Sequence, residues 1–161
     1  MRETVKSVFH EVEEEKCEFQ IHKMDALQGA CLLKFVTEKL VPLIGGVQEI
    51  FENTEGNDQD AVIKDRTEKI MKIIPKALES ISDKELIDFE KRCLRTVEIK
   101  KPAGWQPVMI GDDFGVDELA YDPLTALILC YDVVEFNFGG FFGGKGLGSI
   151  LPLPNSSQQN A

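Results

Sequence analysis

Residues 5–12 (VKSVFHEV) and 17–24 (CEFQIHKM) flank an acidic EEEK, and Cys17, Phe19 and Ile21 alternate with Glu18, Gln20 and His22. A period of two is that of a half-buried strand, so the two segments and a turn at 13–16 predict an N-terminal β-hairpin. On those strands His10 and His22 read as polar-face residues. After Asp25 the period lengthens. ALQGACLLKFVTEKLVPLIGG is apolar around most of its circumference, which predicts a helix buried on more than one side. The Asp25 carboxylate can accept from first-turn amides, with Gln28 at the reciprocal capping-box position. Pro42 and Gly45–Gly46 end or kink this helix, and ENTEGNDQD (52–60) is a polar loop.

From Ala61 to about Ser80, the apolar residues Val62, Ile63, Ile70, Met71, Ile73, Ile74, Ala77 and Leu78 mostly recur three, four or seven apart. That is an amphipathic helix, bent at Pro75. Ser82 and Glu85 form a second capping box, opening a shorter helix with the stripe Leu86, Phe89, Cys93 and Leu94. TVEIKKP (96–102) alternates again, and with QPVMI (106–110) it predicts a second short hairpin around Gly104–Trp105. Asp122 followed by Pro123 is a cap-then-first-turn pair. The helix it opens, PLTALILCYDVVEFNF (123–138), is the most hydrophobic of the chain, with Asp132 and Glu135 its only charges. The fold class is therefore α+β, mainly α. It has about four helices, a small N-terminal β-hairpin and a second short hairpin near 96–110. Residues 1–142 make a single helical domain with the N-terminal hairpin, and 143–161 a flexible Gly-rich, then polar, tail.

Composition narrows the function. A chain of 161 residues with 43% hydrophobic content suits one globular domain. A net charge of −10, from 28 acids against 18 bases, repels nucleic acid and also disperses a sticky protein. Cys17, Cys31, Cys93 and Cys130 show no CxxC spacing and His10 and His22 no HxxxH, so neither a structural zinc site nor a disulfide framework is expected. Cys31, Cys93 and Cys130 fall in helical apolar patterns, where a free thiol behaves as a small buried hydrophobe. The N-terminus lacks an apolar signal-peptide core, and the run Ala126 to Tyr131 is far short of the ~20 residues that cross a bilayer. Cytoplasm is the default. No nucleophile–base–orienter set can be named, so the chain is not expected to be an enzyme.

The end of the last helix raises a separate question, because Phe136, Phe138, Phe141 and Phe142 stand among glycines in VVEFNFGGFFGGKG. GGFFGGKG is one letter short of a phosphate-binding loop. The hydroxyl that would hold magnesium is replaced by Gly146, and the tract follows a helix rather than a strand, so no nucleotide cofactor is expected. A membrane-surface role would want basic residues, and only Lys145 is there. Phe136, at i+3 from Val133, is expected to pack on its own domain. Phe138 divides evenly between its own core and a partner. Phe141 and Phe142 are flanked by Gly139–Gly140 and Gly143–Gly144, whose ordering entropy favours a larger receiver.

KMDAL (23–27) opening an apolar helix, the LVPLIGG end, a charged helix, an SDKEL-type cap running into TVEIK, and the ending VVEFNFGGFF together resemble the tail assembly chaperones of long-tailed bacteriophages, over roughly residues 5–142. The resemblance implies a small, mostly helical protein of the infected bacterium's cytoplasm, absent from the mature virion. Its partners would be the tape measure protein, which it keeps soluble, and the tail tube protein. It also implies a longer frameshifted product, and Gly143-Gly144-Lys145 can be encoded by GGG-GGA-AAG, which holds a slippery heptamer. The segment after Lys145 departs from the family's abrupt ending.

A holdase shows apolar surface while charge keeps it dispersed. Accordingly Phe136, Phe138, Phe141 and Phe142 are the candidate partner-binding residues, with Leu33, Val36 and Leu40 of the over-apolar first helix. Self-association is expected from that same helix. The rival readings are a virion tube or joining subunit and a membrane-associated protein.

Overall fold

The computed structural model describes residues 3–40, 68, 71–72 and 74–140 of the chain. Strands β1 (Val5–Val12) and β2 (Glu15–His22) form the expected hairpin, in a register running from Val5 opposite His22 to Val12 opposite Glu15. The turn is only Glu13–Glu14, both at positive φ, which brings the two strands round in their tightest connection.

Helix α1 (Ala26–Phe35) starts where the Asp25 carboxylate accepts from the Gln28 amide at 2.8 Å, and it widens into a π turn over Val36–Leu40. Residues 74–79 are helical, within the segment expected to be the amphipathic helix. Helix α2 (Asp83–Leu94) carries the complete capping box, Glu85 N to Ser82 Oγ and Ser82 N to Glu85 Oε1, each at 3.2 Å. Strands β3 (Val97–Lys101) and β4 (Gly104–Pro107) form the second hairpin. Its turn falls at Pro102–Ala103 rather than around Gly104–Trp105, because Lys101 pairs with Gly104 and Lys100 with Trp105. A short ladder, β5 (Met109–Ile110) with β6 (Asp113–Phe114), leads to the single-turn helix α3 (Asp117–Ala120), an addition to the four helices expected. Helix α4 (Pro123–Gly140) begins at Asp122, whose carboxylate accepts from the Thr125 amide at 3.0 Å and from its hydroxyl at 2.7 Å.

The two hairpins are not separate. They join through β2 and β3 into one four-stranded antiparallel sheet of order β1-β2-β3-β4. Val8 and Val12 of β1, Phe19 and Ile21 of β2, and Val97 and Ile99 of β3 line its buried face. Against them lie Leu32 and Val36, then Cys93 and Leu94 of α2, and Ala126, Leu129, Cys130, Val133 and Val134 of α4, all in one apolar cluster. Fully burying a Leu or Phe stabilises by about 1.5–3 kcal/mol each.

Three sequence expectations need correction. His10 shares the inward face of β1 with Val8 and Val12 and is buried, so it is not a polar-face residue. Helix α1 is not buried on more than one side within the described residues, since among its own positions only Leu32 is buried and Leu27 is 80% exposed. Cys31, on that outer side, is exposed, while Cys93 and Cys130 are buried as expected.

Candidate partner-binding surface

The C-terminal end of α4 is fastened to the connector between β2 and α1. Lys23 Nζ donates to the Phe136 carbonyl oxygen at 2.7 Å and lies 4.2 Å from the centroid of the Phe136 ring. One residue on, the Met24 amide donates to Asn137 Oδ1 at 3.1 Å, while Asn137 Nδ2 donates to the Val133 carbonyl at 2.9 Å. A lysine near a helix C-terminus can hydrogen-bond a late carbonyl and complements the negative end of the macrodipole. The last turn of α4 is thereby positioned beside the start of α1.

On this frame Phe136 and Phe138 are partly buried and packed against the core. Leu33 is half-buried and Val36 is in the core at 1% exposure. Leu40 closes the π turn. Phe141 and Phe142, like the glycine-rich segment with its phosphate-loop near-match and the slippery-codon site, lie outside the described residues. What sequence reasoning missed on this side is the outward stripe of α1, where Leu27, Ala30, Cys31 and Lys34 are all exposed, Ala30 and Cys31 each standing three or four positions from both Leu27 and Lys34. The signal was available, because Lys34 marks the solvent side of an otherwise apolar run.

Below this surface, His10 Nε2 and Asp132 Oδ2 are 2.6 Å apart, joining β1 to the middle of α4 with both side chains buried. A buried His–Asp pair invites comparison with a catalytic dyad, and Cys17 stands directly across the ladder from His10. Burial and the neighbouring Glu15 push the Cys17 thiol upward, however, the opposite of the depression that activates a nucleophilic cysteine. The Cys130 thiol is likewise raised well above its ordinary value by burial and by its contact with Cys93. These groups act as core and as ties between elements. Among the described residues no cluster of three or more His, Cys, Asp or Glu is placed to hold a metal ion, and no helix is long and apolar enough to cross a membrane.

An open groove of about 560 Å³ lies beside the connector, at the junction of α2 with β3. Lys23, Arg92 and Arg95 line it, with Asp25, Glu98 and His22.

A protein-family model described as "Phage tail assembly chaperone protein, TAC" matches residues 15–148, most of the chain. No curated protein and no solved structure gives a significant match.

Proposed function

Since the chain belongs to the phage tail assembly chaperone family, we propose that it is a non-enzymatic holdase that binds the tape measure protein, keeps it soluble and helps recruit tail tube subunits. It works in the host bacterial cytoplasm and leaves before the virion is complete. The family match carries this reading. Support comes from the side of α1, where Leu27 stands 80% exposed, and from the Lys23 tie that brings the end of α4 to the connector preceding that helix. An apolar stripe of this kind, kept dispersed by a net charge of −10, suits capture of an amphipathic client helix. Leu33, Phe136 and Phe138 would line the contact, with Val36 supporting it from the core and Leu40, Phe141 and Phe142 extending it. A longer frameshifted product belongs to the same reading, and codons at 143–145 unable to spell a slippery heptamer would remove it.

The test is co-expression with the tape measure protein. The soluble share of that client should fall several-fold without the chain, and again with Leu27→Asp, which should leave thermal stability unchanged because the side chain touches solvent. A client equally soluble with and without the chain would end the proposal. Mass spectrometry of purified particles provides the second check: many copies in the virion would make this a tail subunit instead.

A further inference from the structure

Residues 110–124 leave more apolar surface in water than their share of the core requires. Val116 and Leu119 of this stretch are buried, as are Val108 and Met109 just before it. Yet Ile110 is 63% exposed and Tyr121 87%, and Phe114 and Leu124 are open as well. Single exposed apolar residues are ordinary, but large ones gathered together and rimmed by polar groups mark a surface that meets another molecule. The fold keeps these four together. Ile110 pairs with Asp113 and Met109 with Phe114 across the β5–β6 ladder, and Ile110 lies over Gly115. Helix α3 packs on β6 before it and on α4 after it, and Tyr121 and Leu124 stand in the turn between the two helices.

The charge on this surface has one sign. From Pro102 to Gly144 there is no Lys, Arg or His. Cations from neighbouring elements answer two of the acids, Arg95 and Lys91 meeting Asp112 and Lys101 meeting Glu118. Asp113 and Asp117 are exposed and have no ion pair among the described residues, and Asp122 is held only by Thr125 as the cap of α4. Apolar side chains interleaved with unpaired carboxylates repel nucleic acid and anionic lipid. They match a polypeptide segment that carries apolar residues beside Lys or Arg.

We propose that the β5–β6 ladder and the α3–α4 turn form a docking surface for a cationic amphipathic segment of a partner polypeptide. Ile110, Phe114 and Tyr121 receive its apolar side chains, and Asp113, Asp117 and Asp122 pair with its Lys or Arg residues. A tyrosine anchor carries a large share of the affinity in such a contact, while the carboxylates select the sign of the partner and speed its arrival. The surface shares no residue with the outward stripe of α1, so it stands or falls separately from the holdase reading.

The probe is a fluorescein-labelled helical peptide made only of Leu and Lys, titrated with the full chain and followed by anisotropy, with circular dichroism to confirm folding of each variant. Binding should saturate, and it should vanish for the same peptide with Glu in place of Lys. Asp113→Asn combined with Asp117→Asn should weaken it at least tenfold. Tyr121→Ser, which alters no charge, should weaken it at least fivefold. Glu79→Gln combined with Asp83→Asn removes as much charge at the start of α2, roughly 18 Å along that helix from Arg95 and its Asp112 contact, and should change Kd less than twofold. Equal weakening by the two double variants overturns the proposal, because the peptide would then answer to net charge alone. So does wild-type binding by Tyr121→Ser. A third overturning result is loss of binding in Leu27→Asp with none in the Asp113 and Asp117 double variant, which would put the peptide on α1.

Discussion

At the residue scale the buried His10–Asp132 pair is the most consequential contact that the linear sequence conceals. Its partners are 122 positions apart and lie 2.6 Å from each other with little solvent access. Removing Asp132 leaves the buried His10 without this carboxylate, so Asp132→Ala should lower unfolding free energy by about 3 kcal/mol in urea titration. Replacing both partners with leucine should recover most of that loss. A drop under 1 kcal/mol for the single change would show that water substitutes for the carboxylate. Glu90 illustrates the opposite case. Burial raises its carboxyl above the ordinary range. The folded chain then holds that proton more tightly than the unfolded chain, so ionised Glu90 lowers stability at neutral pH, and the penalty fades as pH falls through the folded value. Glu90→Gln should therefore raise Tm at pH 7 and confer no gain at pH values below the usual carboxylate range, near ~4. Equal gains at both pH values would refute this account.

At the scale of elements, local signals placed the helix starts and tertiary contacts placed the turns. Ser82–Glu85 and Asp122–Thr125 cap their helices as the letters imply, because capping is decided within four residues. The β3–β4 turn moved, because the ladder pairs Lys101 with Gly104, and Gly104 accepts a φ of +120 there. Gly115 answers to a different demand. A Cβ there would sit 2.7 Å from the Ile110 side chain and 2.9 Å from the Pro107 carbonyl oxygen, while its amide donates to Val108 at 2.7 Å. Side-chain motion alone cannot relieve a backbone contact. Gly115→Ala should cost about 1–3 kcal/mol by denaturant unfolding, and an unchanged midpoint would mean that the β5–β6 ladder shifts freely.

At the scale of the whole molecule, one apolar cluster takes residues from β1, β2, β3, α1, α2, α3 and α4. A single shared core implies a single cooperative unit. Trp105, the chain's only tryptophan, sits half-exposed on β4, and its fluorescence should therefore lose native signal at the same urea concentration at which helical circular dichroism is lost. Separate midpoints would divide the sheet from the helices. The same assembly explains where the candidate surface comes from. Lys23 and Met24 fasten the end of α4 to the connector preceding α1, and Phe136 and Phe138 pack against the core while only partly buried.

The α+β class, both hairpins and the capped helices were legible in the residues, because period, capping chemistry and turn composition act over a few positions. The Phe–Asn–Phe–Gly ending and its neighbours also carried the family resemblance. Burial across elements was not legible. His10 reads as polar, and it became an inward residue because Asp132 of α4 meets it there; α1 reads as apolar around most of its circumference, and which of its sides is covered was decided by packing through Leu32, with the π turn packing through Val36. The joining of two hairpins into one sheet and the groove between connector and α2 were likewise settled by long-range pairing, through the Phe19–Ile99 register and the convergence of Lys23 with Arg92. A sequence states which side chains prefer water. Which of them are denied it depends on what the rest of the chain brings alongside.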